Sequence, residues 1–107
     1  MTRRTILMFG ILIQYDYDGD EGEWMAAVEG FVAAIDADPA LRGKFSYRTN
    51  IAADGVGRVH VGRWDDEETL AHLQAQEFFK GFAAKIGEFA GGAPNATRLR
   101  LAAETAA

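Results

Sequence analysis

Two histidines are the residues of this chain best suited to acid–base chemistry, because imidazole is the side chain that titrates nearest to neutral pH. His60 precedes Trp64 by four residues, and His72 follows it by eight. Either ring could act as a general base toward a phenol or an enol. The alternative for His72 is a packing or hydrogen-bonding role at a helix surface or an interface.

Aromatic and cationic side chains near the same segment could bind a ligand. Trp64 and Tyr47 offer flat faces on which an aromatic ring can stack. Arg48 and Arg63 offer guanidinium groups that pair with a carboxylate or an oxyanion. Each also has a structural alternative, since an indole often packs in the core and a surface arginine often pairs with acidic loops.

The strand that carries this set runs from residue 57 to residue 64 and has two distinct faces. Arg58, His60, Gly62 and Trp64 share one face, because successive side chains of a strand point to opposite sides. If this face lines a pocket, Gly62 leaves space for a flat ligand. If it lines a dimer interface, Gly62 eases contact between two sheets. The sequence leaves open which face meets the helices.

Turn and cap signals place this strand between a hairpin and a helix. Asp54-Gly55 predicts a hairpin turn from an earlier strand over residues 45–51. Asp65 is predicted to cap the following helix, because an acidic side chain stabilises the positive end of a helix. That helix is predicted to reach Phe89 with a bend near residues 74–76, and a last strand covers residues 97–102.

The N-terminal part supplies one more strand and one more helix. An apolar run over residues 5–15 predicts a strand buried on both faces. Arg3 and Arg4 before it resemble the start of a signal peptide, but no small-residue cleavage site follows, and the run is too short to span a membrane. Asp20 predicts the cap of a helix over residues 21–37.

Composition limits the class of protein. At 107 residues, 49% of them hydrophobic, residues 1–107 form a single domain. The net charge of −5 argues against a nucleic-acid partner. Because the chain has no cysteine, disulfides and thiolate catalysis are excluded, which fits a cytoplasmic protein.

A metal or cofactor site is not expected. Asp16, Asp18 and Asp20 have the spacing that opens a calcium loop, but Glu21 and Ala27 stand where such a loop needs glycine and glutamate. No glycine-rich phosphate loop or metal-binding pair of histidines is present in the sequence.

The order βαββαβ predicts an α+β, ferredoxin-like fold, with a four-stranded antiparallel sheet and two helices on one face. The other face of the sheet is then uncovered. Since the first strand is apolar on both faces, two such sheets packed face to face would bury the uncovered side. We therefore expect a homodimer.

The segment from Arg63 through Trp64 to Ala71-His72 and Phe78-Phe79 resembles the antibiotic biosynthesis monooxygenase family of dimeric α+β barrels. The order of elements extends this resemblance over residues 5–102. The resemblance implies a cofactor-independent monooxygenase that acts on a small aromatic or polyketide-like substrate in a cavity between sheet and helices. It would use His60 or His72 as the base.

The chain departs from the family pattern at several positions. Glu77 stands where a second histidine is common, and Ala83 and Leu73 replace the helical histidine and tryptophan of the haem-degrading branch. Haem degradation is therefore disfavoured. His60 stands where the quinone-forming branch has an asparagine. The alternative function is a non-catalytic ligand-binding or stress-responsive dimeric barrel.

Overall fold

Four strands and three helices make up the structure, which is a computed structural model that describes residues 7–106. The elements follow one another as β1 (Phe9–Asp16), α1 (Glu21–Ala37), β2 (Phe45–Ile51), β3 (Gly57–Trp64), α2 (Glu67–Ala75), α3 (Glu77–Ala90) and β4 (Asn95–Arg100). No helix in this part of the chain is long and apolar enough to cross a membrane.

The strands form one antiparallel sheet in the order β2-β3-β1-β4. The alternating burial along β3 shows that the helices pack on one face of this sheet. The predicted ferredoxin-like α+β fold is therefore confirmed. Its hydrophobic core lies between that face and the helices, and its buried members are Trp24, Val28, Phe31, Ile35, Leu41, Phe45, Trp64, Leu73, Phe82 and Ile86.

The single helix predicted after β3 is in fact two helices, and the bend is a complete break at Gln76. This residue has extended backbone angles and ends α2 while it begins α3. Its side-chain amide donates to the carbonyl of His72, and its backbone N–H donates to the carbonyl of Leu73. The break lets the apolar sides of both helices, Leu73 in α2 and Phe82 in α3, reach the core.

Some predicted boundaries shift by a few residues. The cap of α2 is Asp66 instead of Asp65, since Asp66 accepts the N–H of Thr69 at 2.8 Å. Asp65 instead accepts the Thr69 hydroxyl. The strand predicted over 5–15 is Phe9–Asp16, with residues 5 and 6 outside the described range, and the last strand is Asn95–Arg100. Helix α1 begins after Asp20, as predicted.

Arg58 ties the start of α1 to the β2–β3 hairpin. Its side chain is 1% exposed and makes a two-pronged ion pair with Glu21. It also donates to the backbone carbonyls of Tyr17, Gly55 and Val56. The guanidinium carbon lies 4.4 Å from the ring centre of Trp24, a cation–π distance. The charge of this buried guanidinium is therefore balanced by Glu21, and backbone carbonyls accept its remaining hydrogen bonds.

Candidate functional site

The face of β3 that carries Arg58, His60, Gly62 and Trp64 is the buried one and meets the helices. The register of β1 and β2 adds the aromatic and apolar side chains opposite these residues. This settles the question that the sequence left open. A side chain at Gly62 would come within 3.3 Å of Ile11, Phe45 and Tyr47, so the space predicted above Gly62 is filled by its neighbours.

His60 lies at the centre of a buried polar cluster. Its ring is 0% exposed. The Tyr47 hydroxyl lies 2.8 Å from Nδ1, and the Tyr15 hydroxyl lies 2.8 Å from Nε2. The indole N–H of Trp24 donates to the Tyr15 oxygen, also at 2.8 Å. Both ring nitrogens therefore have hydrogen-bond partners, so the polar ring is satisfied inside an aromatic core.

Burial determines the charge of this cluster. It lowers the pKa of His60 to about 4, since desolvation disfavours the imidazolium form. Burial also raises the pKa of the Tyr47 hydroxyl, and the neighbouring Tyr15 adds to this effect. The pKa of Tyr15 is raised by burial too, against the opposing hydrogen bond from Trp24. At pH 7 the cluster is therefore neutral.

A cavity of about 240 Å³ lies beside this cluster, between the sheet and the helices. It is smaller than the roughly 300–1,000 Å³ typical of sites for drug-sized ligands, so a ligand of one or two rings fits it best. The side chains that line it are mainly aromatic or aliphatic: Ile11, Ile13, Phe31, Phe45, Tyr47, Trp64, Leu70, Leu73, Gln74, Phe79, Phe82, Ala83, Ile86, Pro94 and Arg98.

The cavity wall contains few polar groups. Tyr47 is one, and it connects the cavity to His60. Arg98 is another: its guanidinium carbon lies 5.0 Å from the ring centre of Trp64, and its side chain is 58% exposed. The Trp64 indole N–H is buried and has no hydrogen-bond partner among the described residues. Tyr47 and Arg98 can therefore donate hydrogen bonds to a ligand that carries an acceptor atom.

The structure separates the predicted site residues into two groups. Trp64 and Tyr47 line the cavity, and His60 lies directly behind Tyr47. Arg48 and Arg63 belong to the face of the sheet opposite the helices and do not line the cavity. The predicted pairing of Arg48 or Arg63 with a ligand in the cavity of the same protomer therefore has no support in this geometry.

His72 lies outside the cavity. Its side chain is 39% exposed, and its Nε2 lies 2.8 Å from a carboxylate oxygen of Asp38, the residue that caps the end of α1. The hydrogen bond from His72 holds the pKa of the Asp38 carboxyl below its usual range. This contact fastens α2 to α1, which matches the structural alternative considered for His72.

Three residues of the site were missed by the sequence analysis: Tyr15, Trp24 and Arg98. Tyr15 and Trp24 were assigned to a strand and to a helix core without polar roles. The only available signal was the strand alternation that places Tyr15 on the same face as Ile11 and Ile13. The same alternation applies to β4, where Arg98 pairs in register with Ile11 and therefore lies on the same face of the sheet.

Solved structures of low sequence identity share this fold. Rv0793 from Mycobacterium tuberculosis superposes with a TM-score of 0.74 at 17% identity, over 92% of this chain and 98% of that one. A monooxygenase from the gene ActVA-Orf6 of Streptomyces coelicolor, in complex with nanaomycin D, gives 0.69 at 18% identity, over 92% and 91%. SnoaB from Streptomyces nogalater, a cofactor-independent oxygenase, gives 0.65 at 14% identity, over 94% and 96%.

The structural neighbours include antibiotic biosynthesis monooxygenases, and the chain has the fold of that family, as its sequence resemblance implied. No family model matches the sequence, and no curated protein matches it closely enough to be counted as similar. At these identities the comparisons show a shared fold.

Proposed function

We propose that this protein is a cofactor-independent monooxygenase that acts on a small hydroxylated aromatic compound. The observation that carries the proposal is a neutral, buried imidazole, His60, linked through the Tyr47 hydroxyl to an aromatic cavity. Two proteins of the same fold, SnoaB and the ActVA-Orf6 product, are described as an oxygenase and a monooxygenase. They support this class of reaction.

The cavity suits a flat, electron-rich ring. Trp64 and Tyr47 offer surfaces for stacking, and a phenolic hydroxyl next to Tyr47 would come within reach of the His60 cluster. Arg98 takes the role first given to Arg48 and Arg63, because it is the arginine in the cavity wall. It would pair with a carboxylate or with a developing oxyanion of the substrate.

In the proposed reaction, His60 acts as the base through Tyr47. Removal of the phenolic proton makes the ring electron-rich, and the ring carbon para to the oxygen bonds molecular oxygen to give a hydroperoxide. Cleavage of the O–O bond and loss of the remaining C–H proton release water and leave a quinone. The ring loses two hydrogens and gains one oxygen atom, and the second oxygen atom leaves as water.

Oxygen uptake with one- and two-ring phenols such as 1-naphthol tests this proposal. Tyr47→Phe should lower kcat by about 10²-fold or more, because general base catalysis contributes at least that much. Tyr17→Phe is the matched control, since the Tyr17 hydroxyl donates to the backbone of Asp20, away from the cavity. Its turnover should stay at the wild-type value.

Two outcomes would contradict the proposal. One is equal turnover by Tyr47→Phe and the wild type. The other is binding of the phenols without oxygen uptake, which is the behaviour of the alternative, a non-catalytic ligand-binding or stress-responsive barrel.

Within the same assay, Arg98→Met should raise KM for a hydroxynaphthoate about tenfold, because the variant loses the guanidinium that would pair with the substrate carboxylate. Arg100→Met, two residues further along β4, should leave KM unchanged.

We also propose that the protein is a homodimer that buries the uncovered face of the sheet. Four partly buried apolar side chains belong to this face: Leu12, Val59, Val61 and Leu99. The helices pack on the opposite face. A second copy of the same sheet is a matching apolar surface.

Sedimentation velocity at micromolar concentration tests the dimer. The wild type should sediment as a dimer and Val61→Asp as a monomer, because an unpaired carboxylate would be buried at the centre of the interface. Val56→Asp, in the exposed hairpin turn, is the control and should remain dimeric. A monomeric wild type would overturn this proposal.

A further inference from the structure

Among residues 7–106, the hydrogen-bond partners of the His60 ring are two tyrosine hydroxyls. Its ring is 0% exposed, and its two nitrogens are occupied by the hydroxyls of Tyr47 and Tyr15. The ring does not line the cavity, whereas Tyr47 does. Any proton that reaches or leaves His60 must therefore pass through one of these hydroxyl groups.

The cluster has two complete hydrogen-bond arrangements. With the proton on Nε2, Tyr47 donates to Nδ1 and His60 donates to Tyr15. With the proton on Nδ1, Tyr15 donates to Nε2 and His60 donates to Tyr47, whose hydrogen is then free to point into the cavity. Trp24 donates to the Tyr15 oxygen in both, because an indole N–H can only donate.

We propose that Tyr47, His60 and Tyr15 form a proton wire that carries the proton of a bound phenol from the cavity to the partly exposed Tyr15, with Trp24 holding the outer end in place. This inference rests on the proposed function, because a phenol must supply the proton. It adds an exit route and two residues, Tyr15 and Trp24, to the proposed site.

Each proton moves by one hydrogen bond when the wire operates. The phenol O–H bond breaks as its proton joins the Tyr47 oxygen, and the Tyr47 proton moves to Nδ1 of His60. The Nε2 proton moves to the Tyr15 oxygen, and the Tyr15 proton passes to solvent water. The products are a phenolate in the cavity and a hydronium ion outside, with the cluster in its second arrangement.

The second arrangement stabilises the product of the transfer. The Tyr47 hydrogen now points at the phenolate oxygen, which is a charge-assisted hydrogen bond in a water-poor site. The proton does not have to stay on His60, since burial keeps the pKa of that ring at about 4. Because the imidazolium form is disfavoured, His60 releases its Nε2 proton to Tyr15 as its Nδ1 accepts the proton from Tyr47.

The tautomer of His60 tests the wire without any turnover. Nitrogen-15 NMR of histidine-labelled protein in a His72→Gln background observes this ring alone, because the chain has two histidines. Tyr47→Phe should move the proton to Nε2, and Tyr15→Phe should move it to Nδ1, since a buried N–H keeps the partner that remains. Trp24→Phe should shift the population toward Nε2–H, because Tyr15 then accepts more freely from His60.

The two tyrosine variants must shift the tautomer in opposite directions on folded protein. The same tautomer in both, or a charged ring at pH 7, would overturn the wire. This result is independent of the proposed function, since it needs no substrate. A protein with the opposite shifts but no oxygen uptake would keep the hydrogen-bond wire and lose the monooxygenase proposal.

With an active substrate, kinetics test the transfer itself. Tyr15→Phe should lower kcat by about 10²-fold with KM unchanged, because Tyr15 does not line the substrate cavity. It should also reduce the solvent isotope effect that a chain of moving protons produces. A wild-type kcat in Tyr15→Phe would overturn the role of Tyr15 as the exit.

Discussion

Lowering the pH from 7 to 5 is expected to reduce the free energy of unfolding by about 2 kcal/mol, because His60 is buried as a neutral ring. Its pKa falls from 6.5 to about 4 on folding. Between these values the unfolded chain binds a proton that the folded chain does not bind. Acid therefore favours the unfolded state, and this loss of stability continues until the pH falls below about 4.

Carboxyl groups act in a separate pH range. Hydrogen bonds hold the pKa values of four of them below the ordinary values of 3.8 for aspartate and 4.5 for glutamate, namely Glu21, Asp38, Asp54 and Asp66. Their stabilising contribution is present above the ordinary values and is lost as the pH falls below them. The range from pH 7 to pH 5 therefore lies above the range in which these four carboxyl groups change stability.

Urea unfolding at several pH values measures this effect. His60→Gln should remove most of the difference in the free energy of unfolding between pH 7 and pH 5, since glutamine stays neutral at every pH. His72→Gln is the control that removes the other histidine, and it should keep the change. Equal pH dependence in the His60 variant and the wild type would refute the assignment of a depressed pKa to His60.

Replacing Arg58 by methionine should lower the free energy of unfolding by about 3 kcal/mol. Methionine fills part of the space but cannot donate to Glu21 or to the carbonyls of Tyr17, Gly55 and Val56. Acceptors that lose a donor inside the fold are costly. The start of α1 and the β2–β3 hairpin also lose the side chain that links them through hydrogen bonds.

The same urea experiment at pH 7 measures this change against a matched variant. Arg42→Met removes an exposed arginine from the turn between α1 and β2 and should change stability by less than about 0.5 kcal/mol. Arg58→Lys should fall between the two, because lysine keeps the charge but lacks the planar fork of donors. If both methionine variants were equally stable, the anchoring role of Arg58 would be wrong.

The sequence predicted the elements well where periodicity was strong. The alternation along residues 57–64 and the predicted helix over residues 21–37 each matched the structure. The fold followed from the order of these elements. The break at Gln76 escaped prediction beyond a bend, because it depends on a side-chain amide that bonds a helix end and not on proline or glycine.

The site could be predicted only in part, because its geometry comes from strand register. Trp64, Tyr47 and His60 could be proposed from their residue types and from their positions on neighbouring strands, and the structure places them at or next to one cavity. Tyr15 lies 45 residues from His60 in the chain, and their contact requires the pairing of Ile13 with His60 across β1 and β3. The local sequence shows neither this register nor which face of the sheet is buried. The sequence analysis therefore proposed Arg48 and Arg63 as the ligand-binding arginines, whereas the arginine that lines the cavity is Arg98.

The double attachment of His60 has a consequence for how such a protein can evolve. A single replacement at Tyr15, Tyr47 or His60 leaves a polar group of the core without its partner. Each first step along a mutational path is therefore selected against, whereas a joint change to an apolar set is tolerated. We expect the three positions to be inherited as one block, retained together or lost together among descendants of this chain.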